Sequence, residues 1–389
     1  MAVFSALFSI LLFISLLTST AATTVGVTLD HHPTTPTSSP EQLAAALLRQ
    51  KITSVRLVEP DPNLIRAFTY SSISLLLTIP NNLIPSLGFN QSNAATWLYT
   101  HVVPFYPRAN ITAISVGTYV TSDIYDVADY LLPAISNLHI ALRQLGIRRI
   151  SVSTTFSLLS TITTVFPPSA AEFQDPLNDV VIRPLLDFLE EANSFFLISL
   201  HPYHIYRDIS HEIPLGFALF QETPFNYRDD PTTGVRYRNL FDVMVDAVLA
   251  AMAVAGHENI PVIVTETGWP SSVGPAAAIG EESDANPVFA EMYLRGLVKH
   301  LKSGKGTPLK KEGASEVYVF ELFDREVNKS QGSSSTSSLS SSLGMAQWGI
   351  LYPNLTSKYK IDFSGSIETC SGLFLWMLSA ICFLILGMF

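Results

Sequence analysis

The sequence predicts one α/β domain closed as a (β/α)8 TIM barrel. Eight short runs rich in apolar and β-branched residues recur between Val25 and Phe323, nearly continuous as strands buried on both faces are. Between them lie stretches with apolar residues near helical spacing, and strand–helix alternation implies parallel pairing through right-handed crossovers. Eight such units favour closure over an open doubly wound sheet. The open sheet also lacks a phosphate turn, because neither G-x-G-x-x-G nor G-x-x-x-x-G-K-[ST] occurs. A length of 389 residues suits one barrel of ordinary or large size, and nothing in the middle reads as a linker.

The expected strands run from Val25 to Leu29, Ser54 to Val58, Ser74 to Ile79, Ile111 to Gly117, Ile150 to Phe156, Phe195 to His201, Val262 to Glu266 and Glu316 to Phe323. The expected helices run from Glu41 to Gln50, Ala94 to Val103, Val127 to Leu145, Asn178 to Ala192, Asn239 to Ala255 and Pro287 to Lys302. The stretch P-V-I-V-T-E-T-G-W-P from Pro261 to Pro270 anchors the reading. Its β-branched run ends at Glu266, where a carboxylate has left the core but is still held by it, as a catalytic group in a barrel must be. A Glu at that place also suits a loop cap or an ion pair with a nearby Arg. The Ser-rich loop 330–342 breaks the pattern, having almost no apolar surface to offset its ordering entropy. It follows the eighth strand, and a solvated insertion is the simplest reading of it.

Charge excludes one class of function. A net charge of -10 and a pI near 5.3, with no basic stripe, argue against a nucleic-acid partner and for a neutral or polar ligand.

Both ends read as processing signals. Met1 to Leu17 is apolar and is followed by small residues through Ala22, so 1–22 reads as a secretory signal peptide, although no basic residue precedes Arg49. At the other end the small triplet Ser364, Gly365 and Ser366 precedes an apolar tail from Leu373 to Phe389. Residues 364–389 therefore read as a GPI-attachment signal that is removed, leaving 23–363 as the barrel. A short spanning helix is the alternative. Either way the product is held at a membrane, at the cell surface. Both cysteines, Cys370 and Cys382, fall beyond the attachment site, so the mature chain would rely on its core and not on disulfides. Sequons at Asn90, Asn110, Asn328 and Asn354 suit the secretory route.

A pair of carboxyls about 5–5.5 Å apart, one nucleophile and one acid/base, is what retaining glycoside hydrolysis needs, and in a barrel they can come from different strand ends. The fourth strand ends Ile114, Ser115, Val116, Gly117, Thr118, Tyr119, Val120, without a carboxylate. A series of further signatures runs along the chain: V-R-L-V-E-P-D-P from Val55, L-L-P-A-I-S-N-L-H from Leu131, F-P-P-S from Phe166, P-L-L-D-F-L from Pro184, N-L-F-D-V-M-V-D-A-V from Asn239, E-T-G-W-P-S from Glu266, G-T-P-L from Gly306, F-E-L-F-D from Phe320 and W-G-I-L-Y-P from Trp348. With these, the chain resembles glycoside hydrolase family 17, the plant endo-1,3-β-glucosidases, from Val25 to about Tyr359. The resemblance implies a (β/α)8 barrel, a cleft for β-1,3-glucan, Glu266 as nucleophile of a retaining mechanism, and neither metal nor organic cofactor. The chain is taken as a monomer.

The departures fall at strand ends. Where the family pattern reads V-G-N-E-V, with its Glu as acid/base, this chain has Thr118 and Tyr119 in place of Asn and Glu. The first strand usually ends N-Y-G and here reads Thr28, Leu29, Asp30; N-x-Y-P becomes Ser199, Leu200, His201, Pro202; F-N-E becomes Phe323, Asp324, Arg325, with Glu326 one place late. A phenol with a pKa near 10 is a poor match for protonating a leaving oxygen, and losing a general acid typically costs about 10²- to 10⁴-fold. Asp123, His201, Glu321 and Glu326 are the candidates for rescue. Trp269, Tyr203 and Phe323 flank the strand ends as candidate sugar platforms, with barrel packing as the other reading, most of all for Phe323. The expected function is glucan hydrolysis that is weak or lost; the alternative is a non-catalytic glucan-binding or structural cell-wall protein on the same barrel.

Overall fold

The computed structural model describes residues 23–30, 39–120, 125–208, 212–273, 284–325 and 346–364. The N-terminal segment 1–22, the Ser-rich loop 330–342, the tail beyond Ser364, Asp123, Glu326 and the sequon at Asn328 lie outside these residues. Eight parallel strands close into a barrel: β1 (Thr24–Leu29), β2 (Ser54–Leu57), β3 (Ser74–Ile79), β4 (Asn110–Thr118), β5 (Ser151–Ser157), β6 (Phe196–Ser199), β7 (Val262–Thr267) and β8 (Glu316–Val319). Each pairs with its sequence neighbours in the barrel, and β8 pairs with β1. The connection from β6 to β7 also carries a two-residue antiparallel ribbon, Arg228–Asp229 with Arg236–Tyr237.

Two expected strands end early by two residues or more. β6 stops at Ser199 because Pro202 opens the helix Pro202–Asp208, where its fixed φ fits the first turn. β8 stops at Val319, although Leu322 N–H still donates to Thr28 O at 2.9 Å, so the chain continues alongside β1. The outer layer contains Pro40–Arg49, Gln91–His101, Tyr125–Gln144, Arg183–Glu191, Leu240–Val254 and Pro287–Lys302. Local chemistry sets their starts. Ser39 and Gln42 form a capping box, and the side chains of Asn90, Asn239 and Asn286 each accept a backbone N–H of the first turn.

Alternation along the strands sorts the core into two layers. Val25, Val27 and Leu29 pack outward with the helices, whereas Leu76, Ala113, Leu197, Ile263 and Tyr318 form a separate cluster. A Cβ on Gly26 would lie 2.8 Å from Tyr318 Cδ1 and 2.7 Å from Ser54 O, so this position is glycine because a neighbouring strand's large ring occupies the space.

Two register slips position the site. Along β6, Leu197 faces Ile263 and Ile198 faces Val264, but Ser199 faces Glu266, skipping Thr265. The β8 side shows the same slip, Val317 facing Val264 and Val319 facing Thr267. β7 therefore carries one extra residue just before its end, and this bulge turns Glu266, which strict alternation from Ile263 would aim at the helices, toward the other strand ends. β4 carries a similar slip: Ser115 faces Ser153 and Thr118 faces Thr155.

Candidate active site

Glu266 is the point at which the C-terminal ends of β2, β4, β6 and β7 meet. Arg56 of β2, with 0% of its side chain exposed, donates from Nη1 to Glu266 Oε1 and from Nη2 to Thr118 Oγ1 at 2.8 Å. Asn81 fixes the end of β4 from the side: its Oδ1 accepts Thr118 N–H at 2.9 Å and its Nδ2 donates to Thr118 O at 2.9 Å. The backbone then turns sharply. Gly117 has φ 81°, where a Cβ would meet Val120 Cγ2 at 2.5 Å, and Tyr119 itself sits at φ 55°, a region costly for an aromatic residue. Tyr119 N–H donates to Thr155 O at 2.9 Å, and its hydroxyl donates to Glu266 Oε2. His201 Nε2 lies 3.4 Å from that same carboxylate oxygen and 3.5 Å from the Tyr119 hydroxyl.

The electrostatics follow from these contacts. Burial would push the Glu266 carboxyl up, but the Arg56 charge together with His201 and Tyr119 outweighs it, so the group is held below the usual carboxylate range. Glu266 is an anion. Burial, then the Glu266 charge and the hydrogen bond to it, drive the Tyr119 hydroxyl well above its ordinary value. Tyr119 stays a phenol and gives up its proton with difficulty. Just past β8, Glu321 is 1% exposed; burial raises its carboxyl well above the usual range despite the Arg325 charge, and its Oε1 has no hydrogen-bond partner. His204, edge-on to His201 with ring centroids 5.8 Å apart, is driven down to about 3 by burial and then by the neighbouring His201 and Arg207 charges, and so is neutral.

Of the residues singled out in the sequence, Glu266, Tyr119 and His201 come together, and Glu321 lies deep in the adjoining sector. The three candidate platforms do not stand open. Trp269 is 1% exposed, donates from Nε1 to Asp284 O at 2.7 Å, and meets the Tyr203 ring at 5.1 Å; Tyr203 is likewise 1% exposed and Phe323 is 4% exposed. As packed here they have no face free to stack on a pyranose ring, and their contacts are those of barrel packing. Arg56 and Asn81 were not singled out as site residues. A signal for Arg56 was available: an Arg inside the apolar strand V-R-L-V can be buried only if an acid meets it, and Glu266 ends another strand. Nothing in N-N-L around Asn81 announces its role. Among the described residues no three His, Cys, Asp or Glu side chains are grouped as a metal site would need.

Comparison with known proteins gives the family. The family model for glycosyl hydrolases family 17 matches residues 34–363. The chain belongs to that family. It is 35% identical over 368 residues to glucan endo-1,3-beta-glucosidase 13 of Arabidopsis thaliana, covering 93% of this chain and 68% of that protein. With glucan endo-1,3-beta-glucosidase 2 of the same plant it shares 37% over 334 residues, covering 84% and 62%. The chain thus spans roughly two thirds of the length of these curated relatives. Among solved structures, CJP38, a beta-1,3-glucanase and allergen of Cryptomeria japonica pollen, superposes with a TM-score of 0.75 at 32% identity, covering 88% of this chain and 99% of that one. A second, from work on two plant beta-glucan endohydrolases with distinct substrate specificities, gives 0.73 at 27% identity, covering 87% and 99%.

Proposed function

We propose that this family 17 protein binds β-1,3-glucan at the mouth of its barrel and hydrolyses it weakly or not at all. The observation that carries this reading is the Tyr119 hydroxyl donating to Glu266 Oε2 at the position the resemblance gives to the acid/base. In the retaining reaction Glu266 would attack the anomeric carbon as the glycosidic bond breaks, and the departing oxygen must receive a proton from a second group. The Tyr119 proton is directed at the nucleophile instead and is held more tightly than that of a free phenol. Both Glu266 oxygens are also engaged by donors, which lowers the nucleophilicity of an already stabilised anion. Subsite binding depends on many distributed contacts, so affinity outlives catalysis.

One observation favours ordinary hydrolysis: His201 Nε2 is within 3.5 Å of both Tyr119 and Glu266 and is an alternative proton carrier. A laminari-oligosaccharide binding titration run beside a reducing-sugar assay separates the readings. Binding without turnover supports the first, turnover at the rate of active relatives supports the second, and no binding refutes both. The same proposal places the mature chain, from about Thr23 to near Ser364, on the outer face of the plasma membrane through a lipid anchor. Phosphatidylinositol-specific phospholipase should release it; retention, with a Leu373 to Phe389 peptide detected by mass spectrometry, would indicate a spanning helix.

A further inference from the structure

Two of the strand-end departures noted in the sequence meet in space. Asp30, where the first strand usually ends in Gly, accepts a hydrogen bond from Arg325 Nη2, where the last usually carries Glu. They extend from β1 and β8, the neighbours that close the barrel. The pair is linked to Glu266 through Phe320 and His201. Phe320 N–H donates to Thr267 O at 2.8 Å, the Phe320 ring meets His201 at 5.6 Å between centroids, and the Arg325 guanidinium lies 5.9 Å from the same ring. His201 in turn is 3.4 Å from the Glu266 carboxylate.

We propose that Asp30 and Arg325 form a subsite for one neutral pyranose unit beside Glu266, reading two adjacent hydroxyls. The inference rests on the glucan-binding reading above and deepens it. The side chain of Arg325 is 25% exposed and that of Asp30 10%, so both reach the mouth, whereas that of Glu321 is 1% exposed and its Oε2 lies 4.0 Å from Arg325 Nε. A guanidinium carries five donors in a fixed fork and a carboxylate only acceptors, so side by side they match neighbouring hydroxyls, each of which both gives and takes a hydrogen bond. Behind the ion pair, Arg325 Nε and Glu321 Oε1 are both buried without a hydrogen-bond partner, so the sector holds unmet polar groups next to the exposed part of the guanidinium. Asp30 already balances the Arg325 charge. An anionic sugar would gain little here, and a neutral one fits.

The test is titration calorimetry with laminaritriose and laminaritetraose on the wild type, Arg325→Lys, Asp30→Asn and the charge-swapped double variant Asp30→Arg/Arg325→Asp, each with a thermal melt. The subsite predicts that Arg325→Lys, which keeps the charge but loses the fork, weakens binding about tenfold or more at an almost unchanged melting temperature. The double variant, which rebuilds the ion pair with donors and acceptors exchanged, should recover stability and not affinity. If it recovers both, the pair is a structural bracket and the subsite is wrong. If all variants bind as the wild type does, the subsite alone is refuted and glucan binding stands; if the wild type binds neither sugar, both fall.

Discussion

Replacing Arg56 by Met keeps most of the side-chain volume and leaves Glu266 as an uncompensated carboxylate in the barrel mouth. Arg56 is fully buried and Glu266 has only 4% of its side chain exposed, so solvent cannot take over the lost contact. Breaking a buried ion pair from one side costs about 3–5 kcal/mol. The loss should appear in urea denaturation at pH 7. Its pH dependence is the sharper signature. In the wild type Glu266 is held low, so it contributes stability that is present above the unfolded carboxylate pKa, about 4.3, and is lost as pH falls through the lower folded value. Without Arg56 the opposing effect of burial gains, the carboxyl moves upward, and the penalty of the variant should shrink as pH falls toward 4. Adding Glu266→Gln should recover part of the loss, because the two side chains share one interaction. A penalty under about 1 kcal/mol, or one independent of pH with strictly additive variants, would refute the buried pair as the organising contact of the site.

Two further outcomes follow from the same structure. Asp246, 0% exposed and accepting Leu309 N–H at 2.8 Å, has its carboxyl raised by burial to about 7; its contribution to stability is therefore full below about pH 4 and lost as pH rises to about 7. Asp246→Asn keeps an acceptor and should gain on the wild type by up to about 4 kcal/mol across that window in pH-dependent denaturation; parallel pH profiles would contradict this. Asn81→Ala removes both 2.9 Å hydrogen bonds that fix Thr118, and should cost about 1–3 kcal/mol while speeding amide exchange at Thr118 and Tyr119; unchanged exchange there would show that the strand end is held by something else.

The barrel was legible because its strands are apolar runs bounded by turn residues, and the third, Ser74 to Ile79, matches at both ends. Glu266 was legible as a strand-end carboxylate. Its aim was not, since that depends on a one-residue slip in β7 that no residue of V-I-V-T-E announces. Tyr119 and His201 stood out as departures from a pattern, but that both converge on one Glu266 oxygen is a matter of three-dimensional closure. Trp269 and Tyr203 could not be assigned from sequence for a physical reason: large aromatic rings flanking strand ends serve equally as platforms and as packing, and here both rings are buried. Arg325 and Asp30 are nearly three hundred residues apart, so their pairing could not be read before the barrel closed on itself.

The central claim is that catalysis is limited at Tyr119 while Glu266 is kept at its strand end, and the most direct measurement is laminarin hydrolysis by Thr118→Asn/Tyr119→Glu. Restoring a carboxyl at this strand end should raise the rate by about 10²-fold or more over the wild type, with glucan affinity little changed. The gain should vanish when Glu266→Gln is added, because both groups serve one mechanism. A wild type that already hydrolyses laminarin as fast as the restored variant, and is unaffected by Tyr119→Phe, would contradict the account and move the proton donor to His201 or Glu321.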